Sequence, residues 1–392
     1  MIDRVQFENF KSLQHVTLQL GRLTALVGPN GCGKSSVLQG VHLLSQTGLL
    51  GPSEQGPKQL LARLRSIYGG SRAPWRLAYR GGTDTMVLGM WRSDGKQLRV
   101  TIRVAGPDVD NRDEPRFEIA LFGVPERAGT IPPASTSTWD DAFAIVDDPR
   151  LETFASVAYL HLDANEMART TLANDEQPRM ASDGSGLASA LAWMKGAAED
   201  EFAQFTSDLR QIVPGVKRIR TLRERIMHRR MEKLDIDGQP IWRPVDESLI
   251  GDRFSIEYDD GSEVPADLLS EGTVLTLGLL TKLREPGRPR LVLLDDIDRG
   301  LHLGAQVKLV EVLRGLLELD PELQIVCTTH SPYLLDLFEP AEVRVLALDS
   351  ERRTHARPLT EHPEFGKWKF GTQTGELWAA LGEGWVIAGA PG

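Results

Sequence analysis

The sequence predicts an α/β fold, a mixed sheet flanked by helices and broken by more polar insertions. Two observations carry this. A glycine-rich loop, GPNGCGKSS from Gly28 to Ser36, lies between an apolar run of strand length and a segment with helical spacing. The last third of the chain alternates strand-like and helix-like runs: RLVLLDDID, GAQVKLVEVLRGLLEL, LQIVCTTHS and VRVLALD. Apolar runs flanked by helices are the pattern of parallel strands covered on both faces.

In chain order, the opening MIDRVQFENFKSLQHVTLQLGRLTALVG reads as three short strands, with clear alternation in VQFENF and VTLQL and a turn at Gly21. The loop that follows meets the P-loop pattern G-x-x-x-x-G-K-[ST] at Gly28, Gly33, Lys34 and Ser35. Glycines let such a loop curl until its N–H groups face phosphate oxygens, so Asn30, Gly31, Cys32, Gly33, Lys34, Ser35 and Ser36 are the expected nucleotide-binding residues. Lys34 is expected to reach the β- and γ-phosphates, and the Ser35 hydroxyl to ligate Mg²⁺. Val37, Val41 and Leu44 then recur at helical spacing, which puts a helix N-terminus behind the anion.

Residues from about 48 to 80 are rich in Gly, Pro and Arg and read as a connector with one short helix. DTMVLGMW, QLRVTIRVAG and RFEIALFG form an expected antiparallel meander, followed by the loop GTIPPASTSTWDD and a strand in FASVAYLHLDA. Helical periodicity runs from Gly184 to Leu209. The stretch VKRIRTLRERIMHRRMEK is the most basic in the chain, a solvated arm or a phosphate-contacting surface for DNA or RNA. A strand in RFSIEY, a turn at Asp260-Gly261 and a helix from about Glu271 come next. The early and late strands must share one sheet, since neither set suffices alone. The expected segments are therefore 1–50 and 251–350 for the two parts of the head, 51–160 for a connector and antiparallel β subdomain, 161–250 for a helical and basic insertion, and 351–392 for a tail.

The chain has 392 residues and a formal net charge of −10, which argues against a dedicated nucleic-acid coat. Two cysteines, Cys32 and Cys327, make no disulfide framework and point to a reducing cytoplasm. No signal-peptide pattern and no apolar stretch of membrane-spanning length is visible, so a soluble cytoplasmic protein without a membrane partner is expected.

RLVLLDDID supplies a second acidic motif. Leu291 to Leu294 lead to Asp295 at a strand C-terminus, where a carboxylate can hold Mg²⁺ directly or through its water. Asp296, the next residue, is placed to orient or deprotonate an attacking water. LLSEGT puts Ser270 and Gly272 at a helix N-terminus that can offer N–H donors to a phosphate. RGLHL follows the acidic pair, and QIVCTTHS ends a strand in His330, within reach of a γ-phosphate.

The set GPNGCGKS, LSEGT, LLDDIDRGLH and TTHSP, in that order, resembles the ABC-type ATPase heads of the SMC, RecF and overcoming-lysogenization-defect group. It is similar, more closely, to stand-alone bacterial AAA family ATPases found in anti-phage defence cassettes, and ENFKSL matches that group's opening strand. The resemblance implies an ABC-type head in which Lys34 and Ser35 meet phosphate and Mg²⁺, Asp295 is the second-motif aspartate and His330 the switch histidine. It implies that Ser270 and Gly272 are signature residues touching the γ-phosphate held by a partner copy, with two ATP molecules sandwiched in a homodimer and RGLH crossing it.

The departures are Asp296 where the family has glutamate, and S-E-G-T in place of S-G-G-Q. Hydrolysis is then slow, or Asp298 assists. The family's glutamine loop has no clear glutamine here; Asp163 or Asn165 of YLHLDANEMAR are the expected substitutes. The tail after the histidine motif shows no acidic metal cluster of the Toprim kind, so a nuclease is expected as a separate effector. Trp368, Trp378 and Trp385 there serve as core or as a docking surface. The resulting expectation is an ATPase that dimerises around ATP and controls such an effector. A DNA-repair clamp and a nucleotide-gated scaffold with negligible hydrolysis stand as alternatives.

Overall fold

The computed structural model describes residues 1–47, 85–94, 97–104, 117–123, 154, 156–172, 176–236, 239–368 and 371–388. The expected connector over 48–80 and the Pro/Ser/Thr-rich loop lie outside the described residues, as does the Trp368 side chain. The chain divides into two compact units: Met1–Tyr159 with Pro289–Asp298 and Leu313–Gly392, and Leu160–Arg288 with Arg299–Val312.

The first unit is built on two sheets. β1 (Ile2–Phe10) and β2 (Leu13–Gln19) form a hairpin, extended on the β1 edge by the meander β4 (Thr85–Arg92), β5 (Gln97–Val104) and β6 (Phe117–Gly123) in the antiparallel order β2-β1-β4-β5-β6. Alternation in β1 sends Val5 and Phe7 into the core, where Phe10, Leu13 and Val16 join them. The second sheet runs β15-β14-β3-β13-β12-β7 and comprises β3 (Leu23–Val27), β7 (Val157–Leu160), β12 (Leu291–Leu294), β13 (Gln324–Thr328), β14 (Val343–Leu348) and β15 (Thr354–Pro358). β14, β3, β13 and β12 are parallel neighbours, and β15 pairs antiparallel with β14. Every residue of β3, β12 and β13 is buried, which explains why these strands read as unbroken apolar runs.

Helix α1 (Lys34–Thr47) leaves the end of β3 and seats Val37, Leu38, Val41 and Leu44 in the core with Phe7, Phe10 and Leu26. Register decides what the sheet's C-terminal edge carries. Leu294 stands beside Cys327 and Thr328 beside Leu26, so Asp295, Thr328 and the loop after Val27 fall on one edge.

The second unit holds α2 (Ala164–Met167), β8 (Thr171–Leu172), α3 (Leu187–Ala197), α4 (Glu199–Ile212), β9 (Val216–Ile236), β10 (Gln239–Tyr258), β11 (Glu263–Pro265) and α5 (Glu271–Arg284). The helical expectation over 184–209 is met by α3 and α4. Phe205, Leu209 and Ile212 line the buried side of α4, which packs on α5, and a half-buried Arg284 there donates to Asp208 at 2.8 Å. The basic stretch is β9, paired antiparallel with β10 along 21 and 20 residues. Helix α6 (Leu303–Leu319) follows β12 in the chain, and α7 (Pro332–Leu335) follows β13. The tail forms α8 (Phe365–Trp368), α9 (Thr374–Leu381) and α10 (Gly384–Ala388), with Leu377 and Val386 buried.

Candidate nucleotide site

The loop after β3 has a shape that only its glycines permit. Gly28 sits at φ +143°, and a β-carbon there would lie 2.1 Å from the Leu346 carbonyl oxygen. Gly31 and Gly33 are also at positive φ, 77° and 103°. Asn30 and Gly31 are exposed, Cys32 and Gly33 buried, Ser35 and Ser36 half-buried. Lys34 begins α1 with its side chain buried, folded back so that Nζ donates to the carbonyl oxygens of Gly28 at 2.8 Å and Pro29 at 3.0 Å. Burial pushes the Cys32 thiol pKa up, so it stays a thiol; Cys32 and Cys327 are both free.

Asp295 is the hub of the site. Its Oδ1 accepts from the Thr328 hydroxyl at 2.7 Å and from Ser35 Oγ at 3.1 Å, and its Oδ2 accepts from Tyr159 Oη at 3.2 Å. Ser35 and Asp295 thus meet across a separation of 260 residues. The donor set suits Mg²⁺: a hydroxyl and a carboxylate are hard oxygen ligands, and Mg²⁺ is usually held by one or two carboxylates together with substrate phosphates.

Asp296 occupies left-handed backbone at φ +50°, a conformation uncommon for a residue with a side chain. Thr328 holds the turn. Its Oγ1 accepts from the Asp296 N–H at 2.8 Å, and its carbonyl accepts from the Ile297 N–H at 3.1 Å. The Asp296 side chain is exposed, as is that of His330, which follows the adjacent strand end. Asp298 is half-buried, and its Oδ1 has no hydrogen-bond partner among the described residues.

Ser270 and Gly272 lie at the start of α5 in the second unit. Ser270 is the N-cap: its Oγ accepts from the Thr273 N–H at 3.2 Å, an arrangement contributing about 1 kcal/mol to a helix. Gly272 is pressed against RGLH, since a β-carbon on it would come 2.3 Å from the Gly300 carbonyl oxygen. Arg299 of the same turn pairs with Glu271 at 2.8 Å.

Asp163, an expected substitute for the glutamine loop, caps α2 by accepting from the N–H groups of Asn165 and Glu166 at 2.8 and 3.2 Å. At the head of the same segment, Tyr159 is the residue that bonds Asp295. Tyr159 and Thr328 were not singled out in the sequence. Their one signal was position, since each falls at the C-terminal end of a strand of the sheet.

Many cations of the basic strand pair with carboxylates of β10, while their side chains stay largely exposed. Glu257 takes ion pairs from Lys217, Arg218 and Arg220 at 2.6–2.9 Å, while Arg223 pairs with Asp252, Arg229 with Asp246 and Arg230 with Glu247. Hydrogen bonds from Lys217, Arg220 and Arg218 push the Glu257 carboxyl pKa down to about 2.

Sheet order, loop and acidic edge define a P-loop ATPase head of the ABC type. Solved structures share the fold. An SMC head bound to the C-winged helix domain of ScpA superposes with a TM-score of 0.52 at 14% identity, over 91% of this chain and 96% of that one. An SMC head with an extended coiled coil, bound to the C-terminal domain of ScpA and derived from Pyrococcus furiosus, gives 0.50 at 13% identity over 92% and 97%. A profile of the family described as "AAA domain, putative AbiEii toxin, Type IV TA system" matches residues 23–336, and the chain belongs to that family.

Two relatives match over short segments. The OLD nuclease of Thermus scotoductus is 48% identical over 44 residues, 11% of this chain and 8% of that protein. The Septu protein PtuA of Bacillus thuringiensis is 32% identical over 69 residues, 18% of this chain and 17% of that protein. Each match thus spans less than a fifth of the relative's length. No helix among the described residues is long and apolar enough to cross a membrane.

Proposed function

We propose that this chain binds and hydrolyses ATP, dimerises around the nucleotide, and controls a separately encoded effector such as a nuclease in anti-phage defence. The observation that carries the nucleotide part is the 3.1 Å approach of Ser35 to Asp295 beside a loop that only glycines can form. Lys34 exchanges its loop carbonyl partners for the β- and γ-phosphates, while the N–H groups from Asn30 to Ser36 face the phosphate oxygens. Ser35 and Asp295 would hold Mg²⁺, which when bound neutralises phosphate charge. Asp296 orients the attacking water, and His330 faces the γ-phosphate. Ser270 and Gly272 present the start of α5 to the nucleotide of a second copy.

The short matches to an OLD nuclease and a Septu protein support the defence and effector parts of this reading. Turnover is slow, because an aspartate on left-handed backbone stands where the resembling heads have a glutamate. Light scattering with and without ATP tests the nucleotide-driven dimer. Wild type should shift from monomer to dimer, Lys34→Ala should lose both binding and shift, and Asp296→Ala should accumulate the ATP-bound dimer. A monomer population unmoved by saturating ATP would refute the sandwich, and a phosphate-release assay reading zero would leave a scaffold rather than an enzyme.

A further inference from the structure

We propose that Tyr159 is a positioning residue for Asp295, the last link of a hydrogen-bonded chain from Lys11 that fixes how the carboxylate faces a divalent cation. This rests on the P-loop reading above. The chain begins at Lys11 in the turn between β1 and β2, inside ENFKSL, where Lys11 itself takes left-handed backbone at φ +54°. Its Nζ donates to Gln39 Oε1 on α1. The Gln39 side chain hydrogen-bonds the Tyr159 hydroxyl, and Tyr159 Oη donates to Asp295 Oδ2 at 3.2 Å. Ser35 and Thr328 occupy Oδ1.

The plain alternative is that Tyr159 only fills the core. Its ring is buried at 7% exposure and lies 5.6 Å from the His42 ring, which a phenylalanine could equally satisfy. The hydroxyl is what that alternative leaves unexplained. It is placed in a buried setting with a donor behind it and a carboxylate ahead. A phenol carries its proton at neutral pH, so the hydroxyl can donate to the Asp295 carboxylate 3.2 Å away. An aspartate's terminal torsion is broad, so a carboxylate with donors on one oxygen only can swing about that side. Tyr159 holds the other oxygen and removes the swing. Outer-shell partners of this kind commonly set metal affinity by about 10- to 100-fold.

The test uses the full chain with Mn²⁺ and a fluorescent N-methylanthraniloyl-ATP as probes, and compares wild type, Tyr159→Phe and Gln39→Leu. Nucleotide affinity is measured in EDTA, and Mn²⁺ half-saturation by the paramagnetic signal of the free ion at fixed nucleotide. Tyr159→Phe is expected to weaken Mn²⁺ half-saturation by about tenfold or more. It should leave the EDTA affinity within about twofold, and Gln39→Leu should shift the metal value in the same direction by less. Equal Mn²⁺ half-saturation in wild type and Tyr159→Phe overturns the proposal, as does loss of metal-free and metal-bound affinity in equal measure. If Tyr159→Phe fails to fold by circular dichroism, Gln39→Leu decides alone: a shift supports the chain, and none overturns it. Wild type that binds no nucleotide in either condition removes the P-loop reading, and this inference with it.

Discussion

Thr328→Val isolates one hydroxyl at the centre of the site. Valine matches threonine in shape, and the position is fully buried, so packing is preserved while two hydrogen bonds vanish. Thr328 Oγ1 donates to the Asp295 carboxylate at 2.7 Å and accepts from the Asp296 N–H at 2.8 Å. A bond to a charged group contributes about 1.5–3 kcal/mol, and an orphaned buried amide costs about 1–3 kcal/mol. Since the two bonds share one atom, they do not add in full, and a cost of about 2–4 kcal/mol is expected. Expressed locally, that is roughly a 30- to 700-fold change in the opening equilibrium of the Asp295–Ile297 turn. Hydrogen exchange with peptide resolution reads it directly: peptides across this turn should lose protection, while those from β9 should not. Thr328→Ser, which restores the hydroxyl, should recover most of it. A valine variant with wild-type exchange at the turn would refute the claim that Thr328 pins both acids.

Gly272→Ala places a β-carbon 2.3 Å from the Gly300 carbonyl, so α5 or the RGLH turn must move. The expected cost is about 1–3 kcal/mol, seen as a drop of roughly 1–4 °C in a thermal melt of a chain this long. At Asp296, asparagine tolerates the left-handed backbone and should leave stability unchanged while reducing phosphate release. Valine there should cost about 1–2 kcal/mol in a denaturant titration. Glu257 has a folded pKa of about 2 against an ordinary 4.5, so its ion pairs stabilise fully above about pH 4.5 and are lost as pH falls toward 2. Wild type should therefore lose its stability advantage over Glu257→Gln across that window; a constant difference from pH 6 to pH 2 would contradict the triple ion pair.

What the sequence made legible follows from what kind of order each part has. β3, the glycine loop and α1 are contiguous, so a local pattern carries them whole. Leu291–Leu294 and Gln324–Thr328 are buried on both faces, and continuous apolarity reports that without knowledge of neighbours. Tyr159 and Thr328 lie 136 and 33 residues from the aspartate they bond. Their meeting depends on the order β3-β13-β12-β7, which no periodicity encodes. The same limit governs the ribbon. VKRIRTLRERIMHRRMEK is basic by composition, but Arg229 meets Asp246 and Arg223 meets Asp252 only once the β9–β10 register is set. Within YLHLDANEMAR position alone points to Asp163 or Asn165; the capping bonds that Asp163 Oδ1 makes at the start of α2 depend on a local turn that residue type does not announce.

The backbone at Asp296 bears on the departure from glutamate. A left-handed residue turns its side chain off the line a strand end would give it, and this turn is enforced by Thr328 rather than by a glycine. The shorter acid and the bent backbone are therefore one feature, not two. Restoring only the side-chain length leaves the turn in place, so Asp296→Glu should not by itself give fast turnover. Glutamate also lacks aspartate's tolerance of left-handed backbone, which adds a cost of about 1–2 kcal/mol. Steady-state phosphate release by Asp296→Glu at or below the wild-type rate is the expected result. A large gain, on the order of tenfold or more, would mean that reach alone limits this site and that the turn at Asp296 is incidental.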